Sequence, residues 1–374
     1  MSREEPDVAR RNSPWDEQAP YAGLVGVGAI GSGLFFDLEG NHTLGRNESR
    51  AAKLRDIRDY FKLHIIAHYP AVLLRAGVHA GQFHVLPIGR VGDDEVGRKL
   101  VAEMAEAGMD TLGIRSTPGR PTAFGVCFQY PDGSGGNLTT SDSAASTLEP
   151  ADIDCAFGLL RAPGNRYIAL AAPEISIPIR ICFLRRASEL GALRVVCLTS
   201  LDAASAEAGE LLKLADLVAM NEEEAAMLVG QPLDLDAPPA LMARCAEMLR
   251  SLGGRLQAVI TAGPRGAYAY DGIQWGFRKA PAVPVASTAG AGDALLGGVL
   301  SALAVGVPLV VPGCLDSRES DRPLESALDL GVALASLTVT SPHSIHPDVS
   351  VDALASFAAR HSLGWSRMLA RLSA

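Results

Sequence analysis

No run in the 374-residue chain approaches the ~20 uninterrupted apolar residues that a membrane-spanning helix needs, so no membrane association is expected. The opening stretch, MSREEPDVARRNSPWDEQAP, has no apolar core of the kind a signal peptide carries. It is polar and contains proline, so residues 1–20 are expected to form a disordered tail on a cytoplasmic protein. No two of the six cysteines (Cys127, Cys155, Cys182, Cys197, Cys245, Cys314) form a C-x-x-C pair. Scattered cysteines of this kind are expected to be reduced and mostly buried, not joined in disulfides or around zinc. Excess positive charge is also missing. Lys and Arg number 33 against 42 Asp and Glu, a formal net charge of -9, which argues against nucleic acid as a general partner. An acidic protein can still carry a locally positive nucleotide site. There is no internal repeat and no low-complexity tract.

What is present is an ordinary globular composition, 48% hydrophobic and 20% charged, long enough to bury a large core. Gly23 to Ile30 reads as a buried first strand. Residues 37–62 are charged and lack a clear period, and are expected to leave the main sheet. Val96, Leu100, Val101 and Met104 repeat at helical spacing, with Gly108 where a C-terminal cap belongs. Thr122 to Thr140 reads as a hairpin around Pro-Asp-Gly-Ser-Gly-Gly. Strands are then expected at Tyr167–Ala171, Arg194–Leu198, Asp216–Met220, Leu256–Ile260 and Ala282–Val285, with helices between most of them. Further helices are expected at Gly292–Val305 and Leu324–Thr338, joined by a polar loop. This alternation argues for an α/β fold: a mostly parallel sheet in three layers, flanked by helices.

The most informative stretch is Gly290-Ala291-Gly292-Asp293, which runs directly into an apolar helix. A helix start offers unpaired N–H groups and the positive end of the dipole. The two glycines remove bulk, so an anion can approach those groups. An acid beside an anion site makes sense if it faces an incoming hydroxyl, as phosphoryl transfer requires. The plainer reading is a structural turn with a helix-capping acid. Asn221 and Glu224 lie one turn apart at the start of the next candidate helix, placed to face Mg²⁺ and phosphate at a sheet edge. The plainer reading there is a capped helix with a solvated acidic face. Thr261, Gly263 and Gly266 form a turn after a strand that can bend around a nucleotide, or simply end the strand.

In this order and spacing the three pieces resemble the ribokinase-like (PfkB-type) carbohydrate and nucleoside kinase family. Arg90 to Gly97 is similar to that family's V-G-x-D-x-x-G element. The resemblance implies ATP and Mg²⁺ as cofactors and Asp293 as catalytic base. It implies an anion hole at Gly290, Ala291 and Gly292. Asn221, Glu224, Thr261, Gly263 and Gly266 would hold the nucleotide, with Glu224 on Mg²⁺ through water. Residues near Thr338 to Ile345 would wall the adenine. Residues 21–374 would form one kinase domain with a small β-rich lid from segments near 37–62 and 121–141. The acceptor would be a sugar-like alcohol, and the lid can pair two subunits in a homodimer.

The departures fall on the acceptor side. Gly33 stands where relatives usually carry an Asp for sugar hydroxyls, and the nearest acid is Asp37. Leu63 to His68 lacks the usual Gly-Gly hinge and Asn. Ser287 replaces an Asp that in relatives often supports a monovalent-cation site, which argues against potassium activation. Gly33, Asp37, Arg46, His68 and Asn137 are therefore the candidates for a re-tooled acceptor site, with Arg46 and its neighbours suited to an anionic alcohol. The alternative is a nucleotide-binding regulator of the same fold that has lost acceptor chemistry. Gly26 to Gly31 also spells G-x-G-x-x-G, but no dinucleotide-binding helix fits before Gly33 and Gly40. His64 and His68 sit at metal-ligand spacing without an acidic or cysteine partner.

Overall fold

The computed structural model describes residues 21–374, except 80, 133, 162–165, 235–237, 254, 312–322 and 374. The expected tail, Cys314 and most of the loop between the last two expected helices lie outside the described residues. The strands in chain order are β1 (Gly23–Val27), β2 (Gly31–Leu38), β3 (Ala52–Tyr60), β4 (His84–Gly92), β5 (Ile114–Thr117), β6 (Ala123–Gln129), β7 (Gly135–Thr139), β8 (Tyr167–Ala171), β9 (Leu193–Cys197), β10 (Leu217–Asn221), β11 (Gln257–Thr261), β12 (Gly266–Tyr270) and β13 (Trp275–Lys279).

Nine of them form one sheet in the order β13-β12-β11-β10-β9-β8-β1-β4-β5. Pairing is parallel from β5 to β11 and antiparallel through β12 and β13. Strands buried on both faces read as continuous apolar runs, and successive residues serve opposite cores. Leu24, Ile168 and Leu170 pack on one side, with the helices Lys62–Leu73, Ala291–Ala304 and Ala327–Thr338. Val25, Ala169 and Ala171 pack on the other, with Ile177–Glu189 and Pro238–Ser251. The result is three layers.

A second sheet, in the order β3-β2-β6-β7, stands apart from the first. It carries the expected hairpin as the antiparallel pair β6–β7. The V-G-x-D-x-x-G element joins the two sheets. Asp94 caps the helix Glu95–Glu106 by accepting from Gly97 N–H, and also accepts from Thr122 N–H and Oγ1 just before β6.

Most expected strands and helices shift by a residue or so. One is absent: Ala282–Val285 forms no ladder. Pro284 removes one of the N–H donors that a ladder there needs, and Pro281 stands directly before the segment. Among the described residues no helix is long and apolar enough to cross a membrane. The five described cysteines are all free.

Candidate active site

At the C-terminal ends of β9, β10 and β11 the sheet opens into a cavity of about 280 Å³. Lys62, Asn221, Glu224, Thr261, Thr288 and Asp293 supply its polar lining, and Gly290, Ala291 and Gly292 its floor. The cradle is built by backbone. Gly290, the N-cap of the helix Ala291–Ala304, has φ +73, a left-handed conformation suited to glycine. A Cβ there would also lie 2.2 Å from the Ser344 carbonyl oxygen. Ala291 N–H bonds back to the Thr288 carbonyl. The N–H groups of Gly292 and Asp293 belong to the first turn, whose donors have no intrahelical acceptor.

Lys62 was missed in the sequence. Its Nζ donates to Asp293 Oδ1 at 3.2 Å. The Asp293 carboxylate is the chief reason its pKa rises, with burial working against it. The signal was a lysine at the start of an apolar helix, where the dipole disfavours a cation unless a specific anion faces it. Glu174 was missed too. It follows β8 at the C-terminal edge of the sheet, where ligands of open α/β sheets bind. Burial pushes its carboxyl up to about 7, Lys62 opposes that shift and Asp293 adds to it. Cys197 also lines the cavity, and burial raises its thiol to about 12, which disfavours the thiolate.

Asn221 and Glu224 form a reciprocal capping box. Asn221 Oδ1 accepts from Glu224 N–H at 2.7 Å, and Glu224 Oε2 accepts from Asn221 N–H at 2.8 Å. The structural reading of this pair therefore holds, and both residues still face the cavity. Burial raises the Glu224 carboxyl, Lys62 lowers it and Asp293 raises it further.

A second cavity of about 850 Å³ adjoins the first and shares Thr261, Thr288, Ala291, Gly292 and Leu295 with it. Gly263 and Gly266 line it beside the apolar side chains of Val283, Val332 and Val339. Gly266 has φ +122, and a Cβ there would collide with the Arg278 carbonyl oxygen at 1.9 Å. The turn is anchored by an Arg265–Glu222 ion pair. Of the expected adenine wall, Thr338 to Ile345, Val339 lines this cavity. Ser336, His361 and Leu363 line it as well and were not anticipated.

None of the five acceptor candidates lines either cavity. Asp37 is held by Arg55 Nε at 2.7 Å on the small sheet. Arg46 and Asn137 are exposed. His68 packs against the rings of His64 and Tyr69. Gly33 sits on β2 opposite Asp59. Ser287 is buried, its Oγ accepting from Ala289 N–H at 3.2 Å.

The sequence profile of the pfkB family carbohydrate kinases matches residues 73–350. Probable fructokinase-7 of Arabidopsis thaliana is 27% identical over 278 residues, covering 71% of this chain and 76% of its own. Among solved structures, the ribokinase from Giardia lamblia superposes with a TM-score of 0.70 at 17% identity, over 89% of this chain and 99% of its own. The Arabidopsis thaliana ribokinase complexed with ribose and ATP gives 0.62 at 20% identity, over 96% and 100%. The fold is ribokinase-like. The chain belongs to the pfkB family and is a carbohydrate kinase.

Proposed function

We propose that this enzyme transfers the γ-phosphoryl group of ATP to a hydroxyl of a sugar-like acceptor, with Asp293 as the general base. The observation that carries this reading is the junction of the two cavities. The bare cradle Gly290–Gly292 and the Asp293 carboxylate meet there at one helix start, with Lys62 3.2 Å from that carboxylate. The larger, mostly apolar cavity suits the base and ribose of ATP, with Thr261, Gly263 and Gly266 along its path to the cradle. The Arabidopsis ribokinase structure, which holds ribose and ATP, supports the same pairing of ligands here.

In the step itself, Asp293 accepts the acceptor's hydroxyl proton as its oxygen attacks the γ-phosphorus. The bond to the β-phosphate oxygen breaks, and ADP leaves. The cradle N–H groups and Lys62 stabilise the charge on the transferred group, where most of the rate enhancement in such reactions arises.

Among the described residues no group of three or more His, Cys, Asp or Glu could hold a metal ion. That suits Mg²⁺ travelling with ATP, since this ion keeps several waters and needs only one or two carboxylates. Glu224 would hold it through water, and the ion would neutralise phosphate charge.

The small sheet fits the role of a lid over the acceptor. Its exposed Leu34, Leu54 and Leu138 support pairing with a second copy of the chain, a reading checked by sedimentation of wild type and Leu54→Glu. The function is tested by incubating purified protein with ATP, Mg²⁺ and a panel of sugars, sugar phosphates and nucleosides. A phosphorylated sugar formed one for one with ADP is the expected outcome. Nucleotide binding without any phosphorylated product would favour the regulator instead.

A further inference from the structure

The register of the small sheet sets Asp59 on β3 directly opposite Gly33 on β2. Gly33 offers no side chain, and Asp59 leans into the space. A Cβ built on Gly33 would lie 2.6 Å from Asp59 Oδ2. The carboxylate is half-buried: burial raises its pKa, the nearby Ser344 hydroxyl and Tyr60 N–H oppose that, and the Cys127 thiol faces Oδ2 at 3.8 Å. A carboxylate offers about four lone-pair sites, so these contacts leave room for a ligand.

Asp59 lines neither cavity but stands close to the groups that do. Asp59 feels the charges of both Asp293 and Glu174. The backbone next to it is tied to the cradle: Tyr60 N–H donates to Ser344 Oγ at 3.2 Å, and the Ser344 carbonyl abuts Gly290. An independent sign of a missing ligand comes from Glu174. The Lys62 backbone N–H lies near its carboxylate, yet Oε2 is sealed from solvent with no hydrogen-bond partner. Glu174 also holds φ +71, a conformation uncommon for a residue with a side chain and frequent at functional sites. A buried carboxylate oxygen without a donor is costly unless something supplies one.

We propose that Asp59, delivered across the sheet into the space left by Gly33, binds a hydroxyl of the acceptor next to the one that is phosphorylated. This rests on the kinase reading above. It also sets the acceptor's chemistry. Asp59 feels the charges of Glu174 and Asp293, and Lys62 pairs with Asp293, so the carboxylates outnumber that ammonium and the site accepts uncharged hydroxyl donors and repels a phosphate or carboxylate on the acceptor.

The test is steady-state kinetics of wild type, Asp59→Asn and Asp59→Ala. The substrates are the best neutral sugar from the panel, its singly deoxygenated analogues, and anionic alcohols. The acceptor KM should rise about ten- to hundredfold, as for loss of a hydrogen bond to a charged group, with ATP KM within about twofold. One deoxy analogue that is poor for wild type should be no poorer than the parent sugar for both variants, a loss of additivity that a merely structural Asp59 would not produce. Undiminished penalties for every deoxy analogue, or an unchanged acceptor KM in both variants, would overturn the assignment. If wild type phosphorylates only an anionic alcohol, the kinase reading survives and this inference falls. If it phosphorylates no alcohol, both fall. Should Asp59→Ala fail to fold, the analogue comparison in Asp59→Asn decides.

Discussion

The two sides of the reaction centre are built in different ways. The phosphate side is four consecutive residues at the start of one helix, seated on the ends of β10 and β11. The acceptor side, as proposed, is assembled from Asp59 on the small sheet, Lys62 at the start of the next helix, and Glu174 after β8. The family match begins at residue 73, beyond both Asp59 and Lys62. In the proposed reaction the cradle would hold a phosphoryl group through backbone N–H groups that any sequence supplies once the glycines are in place. The acceptor side depends on side chains, which can be exchanged between strands while the fold stays the same.

This contrast can be broken by substitution. The largest effect is expected from Gly290→Ala, which meets both a left-handed φ and the Ser344 carbonyl. Turnover should drop by about a hundredfold or more, the scale of losing an oxyanion-hole donor. Gly33→Ala should act differently. Its new methyl meets chiefly the end of a flexible carboxylate, with the Gly125 carbonyl oxygen in a looser contact at 3.3 Å, so acceptor KM should rise while kcat and ATP KM barely move. Equal kinetic signatures for the two variants would erase the distinction between the sides.

Arg180 tests whether one scaffold supports both. It is fully buried, pairs with Asp202 Oδ1 at 2.9 Å, and donates to the carbonyls of Ala171 and Cys197 at the ends of β8 and β9. Arg180→Leu leaves Asp202 uncompensated, so denaturant unfolding should show a loss of about 3 kcal/mol or more.

Glu174 sharpens the acceptor side. Its carboxyl, raised to about 7, takes up a proton as pH falls through that value, so it accepts a hydroxyl's hydrogen bond best above it. Acceptor KM should fall as pH rises through about 7 while ATP KM stays flat, and Glu174→Gln should remove the transition.

A smaller effect concerns stability alone. Burial holds His64 at about 3 and His68 at about 4, against an ordinary value of about 6.5. Between those values the unfolded chain binds protons that the folded chain refuses, so stability is lost as pH falls from about 6.5 towards 4. The drop in melting temperature between pH 7 and pH 4.5 should be smaller in His64→Leu than in wild type.

The sequence was legible where its message is local. Gly290 to Asp293 are contiguous, Asn221 and Glu224 lie one turn apart, and the strand–helix rhythm marks the three-layer sheet. It was opaque where function depends on strand register. Nothing in the run around Gly33 announces that Asp59 will face it, because that pairing exists only once β2 and β3 meet. Lys62 and Glu174 converge from separate parts of the chain, and a lone charge at an element's end reads equally well as solvated surface. Asp37, Arg46 and Asn137 drew notice as polar residues in the right segment, but in the folded sheet they belong to an ion pair or to the exposed surface.

The central claim is that Asp293 removes the acceptor's proton within the cradle. The direct measurement is single-turnover phosphoryl transfer by Asp293→Asn beside wild type, with ATP affinity measured on the same samples. A rate lowered by about 10² to 10⁴ with ATP affinity within about twofold is the predicted result. Transfer by the variant at the wild-type rate would contradict it.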